Sequence, residues 1–563
     1  MKKRNVKNQN LIRLALLLVI LVLVNVISSF LFTRIDLTED KRYTLSNETK
    51  TLLGDLEDVV FLKVYLEGEF PPGFRRLSNS TKEMLDEMRN YSNENLEYEF
   101  IDPSESESEQ QRNQLYQQLA EKGLQPTNLE EQSKEGSSQK IIFPGAIISY
   151  RAKESVLQLL KDKIGANPEQ MLNNSIQNLE FELANSIKKI TSLDPLTIGM
   201  HTGNGELHPD NVADIVRTLS ESYNVSPVAV DSSLKSLKNY DLLILAKPTV
   251  PFSEKTKFII DQFVMKGGRL LVLADGMKIS MDSLQDQDYT VAISNELNLD
   301  DMLFKYGARI NKNLLMDLMA APIPIVTGYV GNQAQQSLLP WYYFPLINPQ
   351  SEHPIVKNLN AIRSEFISTV DTIAVPGIKK SILLSSSQYS RAINAPARVS
   401  LGIMREDPDV SRYNKSYLPL AVLLEGEFQS LYKSRVPKAI SEDEEINFRE
   451  SGDSTKIIVI GDGDMISNYA NREAGRMYPL GYDRFTRQFF GNKNFLLNAI
   501  DYLVDDSGLL SVRSKEIKLR LLDQTKVDAE RQKWQIINIG IPLIIVILFG
   551  IIRMISRRRK FAK

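Results

Sequence analysis

Cysteine is absent from all 563 residues, which excludes disulfide staples, thiolate metal sites and a cysteine nucleophile. Its absence leaves the compartment open, because a chain this long can bury enough apolar surface to need no covalent staple. Histidine is scarce: His201, His208 and His353 are too few and too scattered for a zinc site of recognised spacing. No G-x-x-x-x-G-K-[S/T] segment occurs, so there is no Walker A phosphate cradle, and any nucleotide energy must come from another polypeptide. A G-x-S-x-G nucleophile elbow is missing as well. Net charge is small, with 68 basic against 70 acidic residues. Eleven of the basic residues lie at the two ends, so the stretch between them is acidic by about 13 charges and does not attract nucleic acid.

Two long uncharged runs are present, one at each end. Residues 536–552 span about 26 Å at roughly 1.5 Å per residue, enough for a hydrocarbon core of about 30 Å. Arg553, Arg557, Arg558, Arg559 and Lys560 follow as a basic stop. Pro542 is tolerable there, because neighbours in a membrane can re-satisfy the freed backbone groups. Residues 14–32 form the second run, behind Lys2, Lys3, Arg4, Lys7 and Arg13. The basic start and Ser28-Ser29 also suit a cleavable signal peptide, but the run exceeds the apolar core of such signals and reads as an uncleaved anchor. More basic residues precede this span than follow it (Arg34, Lys41 and Arg42), which keeps the N-terminus cytoplasmic. Two spans then return the C-terminus to the same side. The expectation is an inner-membrane protein with basic cytoplasmic tails (1–13 and 553–563), spans at 14–32 and 536–552, and a periplasmic bulk.

Between the spans the pattern is α/β. Residues 59–66, 96–101, 141–150 and 155–160 read as strands, the last two as a hairpin, with a helix opened by Pro71-Pro72 and another over 168–190. The polar stretch 104–138 reads as a mobile flap with a helix near 111–121. This order suits a thioredoxin-like domain over 33–193, without the Cys-x-x-Cys that would give it redox work. A larger domain over 194–510 alternates strands (196–200, 225–230, 241–246, 269–274, 456–460) with helices (210–222, 254–265, 494–504), the pattern of a mainly parallel sheet covered on both faces. Residues 308–316 read as an extension of that sheet, and 322–451 as an irregular insertion. Residues 512–522 read as a strand within a juxtamembrane segment, 511–535, that ends in a polar helix entering the second span.

Four polar stretches follow predicted strands: His201-Thr-Gly-Asn-Gly-Glu206, Lys247-Pro248, Asp275-Gly276 and Asp462-Gly-Asp464. The carboxyl ends of parallel strands share one rim, where ligands usually sit. Thr202, Gly203, Asn204, Gly205, Glu206, Asp275, Asp462 and Asp464 are therefore the candidate ligand-binding set. The plainer reading is that Gly203, Gly205, Gly276 and Gly463 allow tight turns while the acids cap following helices. Asp462 and Asp464 offer oxygen ligands for a divalent cation, but two carboxylates one residue apart are a weak signal, and neither metal nor cofactor is expected. His201 and His208 read as a strand-end and a helix-entry residue. Trp341-Tyr-Tyr-Phe344 reads as a proline-bounded core segment, or as a sugar- or partner-stacking patch.

An N-terminal span, Asp36-Leu-Thr-Glu-Asp-Lys-Arg-Tyr-Thr-Leu-Ser46, Thr202-Gly-Asn-Gly-Glu206, Ile458-Val-Ile-Gly-Asp-Gly-Asp464 and a C-terminal span occur in this order. The combination resembles GldG, the gliding-motility-associated auxiliary, or substrate-binding-type, component of an ABC transporter. In that family the strand-end motif commonly reads Thr-Gly-His-Gly-Glu; Asn204 here stands in the histidine's place, against an essential acid-base role. The resemblance implies a non-enzymatic subunit working with a separate ATPase and permease, and a larger domain similar to flavodoxin or glutamine-amidotransferase folds. Two rivals stand beside it. One is a membrane-tethered hydrolase or transferase acting on envelope carbohydrate or peptide, which needs Glu206, Asp275, Asp462 and Asp464 close enough to share one substrate atom. The other is a passive scaffold that binds an envelope ligand.

Overall fold

The computed structural model describes residues 11–23, 44–105, 108–133, 136–161, 167–192, 194–230, 233–284, 287, 289–331, 333–444, 446–505, 507–514 and 524–561. These divide into two units, 1–515 and 516–563, each taken by itself.

The N-terminal part of the first unit is built on a four-stranded sheet. Its strands are β1 (Val60–Val64), β2 (Leu96–Phe100), β5 (Gly145–Tyr150) and β6 (Lys153–Gln158), and β3 (Thr127–Ser133) pairs with β4 (Gly136–Ile142) as a separate hairpin. The sheet order is β2-β1-β5-β6, with β1 parallel to β2 and antiparallel to β5. The helix Pro72–Tyr91 starts on proline, whose missing N–H costs nothing in a first turn, and buries Phe74, Leu77, Leu85 and Met88. Three expectations change here. Within 104–138, beyond the expected helix Glu109–Glu121, the described residues carry strands of the β3–β4 hairpin, which the polar composition did not announce. Ile141 and Ile142 belong to β4, because Phe143-Pro144 breaks the run before β5. The 168–190 helix is two helices, Pro168–Gln177 and Leu179–Thr191, parted at Asn178.

The second sheet has seven strands. Five are parallel: β7 (Thr197–Thr202), β8 (Asn224–Ala229), β9 (Leu242–Ala246), β10 (Arg269–Leu273) and a later strand, Ser451–Ile460. Two more, Ile378–Ser385 and Pro419–Gln429, join in antiparallel sense beside Ser451–Ile460. Along the sheet the order is Ile378–Ser385, Pro419–Gln429, Ser451–Ile460, β10, β9, β7, β8. Both faces are covered, so strand side chains alternate between two cores. Leu242, Ile244, Leu271 and Ile458 pack into the cluster that holds Ile215 and Leu496 of helices Pro209–Ser220 and Asn492–Val504. Leu243, Leu245, Leu270 and Ile457 pack into the cluster that holds Ile260 and Leu303 of helices Glu254–Met265 and Asp300–Tyr306. The first cluster also takes in Leu62, Leu85 and Leu183 from the N-terminal part.

Residues 308–316 do not extend this sheet. Ala308–Ile310 pairs with Val370–Thr372 and Asn313–Asp317 with Ser390–Asn394, in a lobe with its own core of Leu314, Met316, Trp341, Tyr343 and Phe344. Trp341 to Phe344 are buried, as a core segment should be. Conversely, two strands inside the segment read as irregular supply the antiparallel edge of the main sheet. Residues 512–514 end a 3-10 turn, Leu509–Ser514, instead of opening a strand, and 515–522 lie outside the described residues.

In the second unit one helix runs unbroken from Gln524 to Phe561 through Pro542. Its portion Glu530–Arg559 is long and apolar enough to cross a membrane, and Leu11–Leu23 is a shorter apolar helix. Residues 24–32 of the first expected span, and Asp36 to Tyr43 of the motif after it, lie outside the described residues.

Candidate functional site

The loops after β7, β9, β10 and Ser451–Ile460 lie on one rim, and their polar groups form two networks. The first closes the gap between the β7 and β9 loops. The chain leaves β7 for β8 on one side and reaches β9 on the other, so this is the switch point at which doubly wound sheets open a crevice. Here the two loops are tied together. Thr249 N–H and Val250 N–H both donate to Asn204 O at 2.9 Å. Asn204 Nδ2 donates to Val250 O (3.2 Å) and Pro251 O (3.0 Å), and Thr249 Oγ1 donates to Gly205 O at 2.8 Å. Gly203 and Gly205 adopt φ of 117° and 71°, so these two glycines do serve the turn.

Beneath this clamp His201 Nδ1 meets Glu206 Oε1 at 2.5 Å, and Glu206 Oε2 accepts from Asn204 N–H at 2.8 Å. Both side chains are buried. Burial opposes ionisation of Glu206, but the hydrogen bond and charge of His201 prevail and hold its pKa below the ordinary glutamate value. The other imidazole nitrogen, Nε2, is buried without a hydrogen-bond partner among the described residues, and the ring lies against Phe252. Thr202 is exposed at the strand end. His208 caps the helix Pro209–Ser220, its Nδ1 accepting from Asp210 N–H.

The second network gathers Asp275, Asp462 and Asp464, whose nearest carboxylate oxygens lie within 4.8 Å of one another. Lys247, at φ 56° just past β9, sends its ammonium among them, bonding Asp464 Oδ2 and lying 3.6 Å from Asp275 Oδ2. Backbone amides satisfy much of the rest. Gly463 N–H donates to Asp275 Oδ1 (2.6 Å); Asp464 N–H (2.7 Å) and Met465 N–H (3.1 Å) donate to Asp462 Oδ1; Glu365 N–H donates to Asp462 Oδ2 (2.9 Å). Burial raises the pKa of all three carboxyls: Asp462 well above the usual range, with its two acidic neighbours adding to the effect, and Asp464 to about 7. Burial works against the Lys247 ammonium too, yet Asp464 and Asp275 outweigh it and raise its pKa.

The candidate residues thus fall into two sets, Asn204 to Glu206 with His201, and the three aspartates with Lys247. No hydrogen bond or ion pair among the described residues links Glu206 to the aspartates. Gly276 and Gly463 are not turn glycines. A Cβ on Gly276 would lie 2.2 Å from Asn311 O, and one on Gly463 2.5 Å from Lys247 Cγ, so both are required by close packing. Lys247, which directly follows the buried run Asp241-Leu-Leu-Ile-Leu-Ala246, is placed on this rim by the sequence but is not in the candidate ligand-binding set; Glu365 takes part through its backbone and leaves no sequence signal.

Residues 195–499, which include both networks, match the family described as an ABC-type uncharacterized transport system. The chain belongs to this family. In this ABC-transport chain, residues 39–149 also match a domain family of unknown function. An uncharacterized protein of Borreliella burgdorferi is 22% identical over 571 residues, covering 98% of this chain and 99% of its own. Among solved structures, an mmIFT52 N-terminal domain aligns over 55% of this chain and 98% of its own at 13% identity and a TM-score of 0.31. An exo-β-1,4-mannosidase from an Opitutaceae bacterium covers 60% of this chain and 38% of its own at 11% identity and a TM-score of 0.21. Neither superposes well enough to bear on the fold.

Proposed function

We propose that this protein is a non-enzymatic, membrane-anchored auxiliary subunit of an ABC transport system, working with a separate ATPase and a separate permease. The observation that carries the reading is the family match over residues 195–499 in a chain with no phosphate cradle of its own. The apolar helix Glu530–Arg559 adds a membrane anchor, and the apolar helix Leu11–Leu23 fits a second. The finer picture has two spans, both termini cytoplasmic, the bulk periplasmic, and a GldG-like part in surface gliding. The sheet order β8-β7-β9-β10 followed by Ser451–Ile460 favours a flavodoxin-like larger domain, and β2-β1-β5-β6 favours a thioredoxin-like smaller one.

The rim networks favour a mechanical role over chemistry. The carboxylates bond to an ammonium and to backbone amides, and the switch-point crevice is tied shut by Asn204, Thr249 and Val250. Such a rim stiffens the domain that would transmit motion to, or present a ligand to, the permease. Affinity purification of the full chain from membranes in mild detergent should recover a Walker-A ATPase and a multi-span protein. Recovery of the chain alone would count against the reading. Separate alanine changes at Glu206, Asp275 and Asp462 that abolish function while leaving the complex and the fold intact would favour the hydrolase reading instead.

A further inference from the structure

A cavity of about 330 Å³ shares no residue with either rim network. Strand β6, the helices Leu179–Thr191 and Asn492–Val504, and the turn Leu509–Ser514 all contribute to its wall. Phe181, Asn185 and Lys189 recur every fourth residue of the helix Leu179–Thr191, so one face of that helix lines the space. Arg513 enters from the turn, where buried Leu510 and Val512 hold the backbone in place.

Arg513 is only 9% exposed, and among the described residues its guanidinium forms no hydrogen bond or ion pair, with Nε fully buried. Its Cζ lies 5.7 Å from the centre of the buried Phe181 ring. The acids whose charges reach it, Glu182 and Asp501, are already engaged. Glu182 Oε2 lies 3.2 Å from Lys161 Nζ, while Asp501 Oδ2 accepts from Lys189 Nζ at 2.9 Å and Oδ1 from the Tyr223 hydroxyl at 2.7 Å. Glu221, the remaining acid on the wall, is exposed to solvent. Burial pushes the Arg513 pKa below the usual arginine value, yet a guanidinium remains charged at any physiological pH. Buried charges in folded proteins are paired, and this one has no counterpart within the described residues.

We propose that this cavity binds a small monocarboxylate carrying hydroxyl or amide groups, with Arg513 gripping the carboxylate. The charge count sets the class. One uncommitted cation matches one negative charge, whereas a phosphate dianion would need a second, and Lys161 and Lys189 are both taken. The planar guanidinium offers parallel N–H groups that suit two carboxylate oxygens. Asn174, Asn185 and Asn358 also face the space and make no side-chain hydrogen bond among the described residues. Each amide both donates and accepts, as hydroxyls or an amide on the ligand would require. The volume is at the low end of the roughly 300–1,000 Å³ of ligand sites, enough for one sugar ring or one acylated amino acid. Such binding belongs to the chain itself and does not depend on any transport partner.

The test is isothermal titration of the full chain, in a detergent without a sugar headgroup, with glucuronate, N-acetylalanine, glucose and inorganic phosphate. Glucuronate or N-acetylalanine should bind at one site per chain, and whichever binds tells a sugar acid from an acylated amino acid. Glucose and phosphate should bind at least roughly tenfold more weakly. Arg513→Met should weaken the carboxylate by roughly tenfold or more, while the urea midpoint of the ligand-free chain stays the same or rises, because a buried unpaired charge has gone. Asn185→Ala removes a side chain with no bond to the rest of the fold, and should weaken binding roughly threefold with the midpoint unchanged. The proposal is overturned if neither carboxylate binds, if glucose or phosphate binds as tightly, or if either variant binds as the native chain does. A lower ligand-free midpoint for Arg513→Met overturns it too, since the guanidinium would then have a partner inside the chain.

Discussion

Lys247→Met tests whether the rim is an ammonium-centred staple. Asp275, Asp462 and Asp464 crowd within 4.8 Å, and two unit charges at that distance repel by about 3.5 kcal/mol at an effective dielectric near 20. Lys247 offsets this repulsion with a side chain only 19% exposed, and Asp464 is 22% exposed. Removing one partner of a buried ion pair costs ~3–5 kcal/mol, and partial solvent access trims that to about 2–4 kcal/mol at pH 8. The cost depends on pH. In the native chain Asp464 titrates near about 7 against an ordinary 3.8, so the folded state holds a proton that the unfolded state releases in between. This group therefore weakens the fold progressively as pH rises from about 4 to about 7, and imposes no penalty below its unfolded value. At pH 5 Asp464 is already protonated, there is less charge for the ammonium to offset, and Lys247→Met should cost only about 1 kcal/mol. Urea unfolding of the full chain in mild detergent, read by the fluorescence of buried Trp341, at pH 5 and pH 8, measures both costs. The double variant Lys247→Met/Asp464→Asn should recover more than half of the loss at pH 8. A cost under about 1 kcal/mol at pH 8, or the same cost at both pH values, refutes the staple.

Asn204→Ala removes two donated hydrogen bonds and should cost about 1–3 kcal/mol, with faster proteolytic nicking of the 203–206 and 247–251 loops; unchanged nicking would mean the clamp does not hold them. Glu206 has a lowered pKa, so its contribution is present above the ordinary 4.5 and lost as pH falls through the lower native value; Glu206→Gln should cost about 1–2 kcal/mol at pH 7, and progressively less as pH falls through that native value, in the same unfolding assay. Gly461→Ala would put a Cβ 2.1 Å from Ser368 O and should destabilise by about 1–3 kcal/mol, detectable as a lower urea midpoint. Trp341→Ala, at a fully buried site in the lobe core, should cost about 3–5 kcal/mol, measured by circular dichroism because its own fluorescence is lost.

Sequence by itself determined the elements whose period and punctuation are local. The continuous apolar runs at 242–246 and 269–273 announce buried parallel strands, His208 marks a helix start, and the uncharged stretch at 536–552 defines an apolar helix whatever surrounds it. Only the tertiary structure decided which strands pair and which polar groups meet. Ile378–Ser385 and Pro419–Gln429 are joined by more than thirty residues, and no local period says that they close one edge of the main sheet. Ala308–Ile310 looks like another sheet strand and pairs elsewhere for the same reason. Asp275 and Asp462 are nearly two hundred positions apart, so their shared burial around Lys247 exists only because adjacent strands bring their ends together. A hydrogen bond between distant residues is fixed by the path of the whole backbone, whereas a helix cap or an apolar run is fixed by its immediate neighbours.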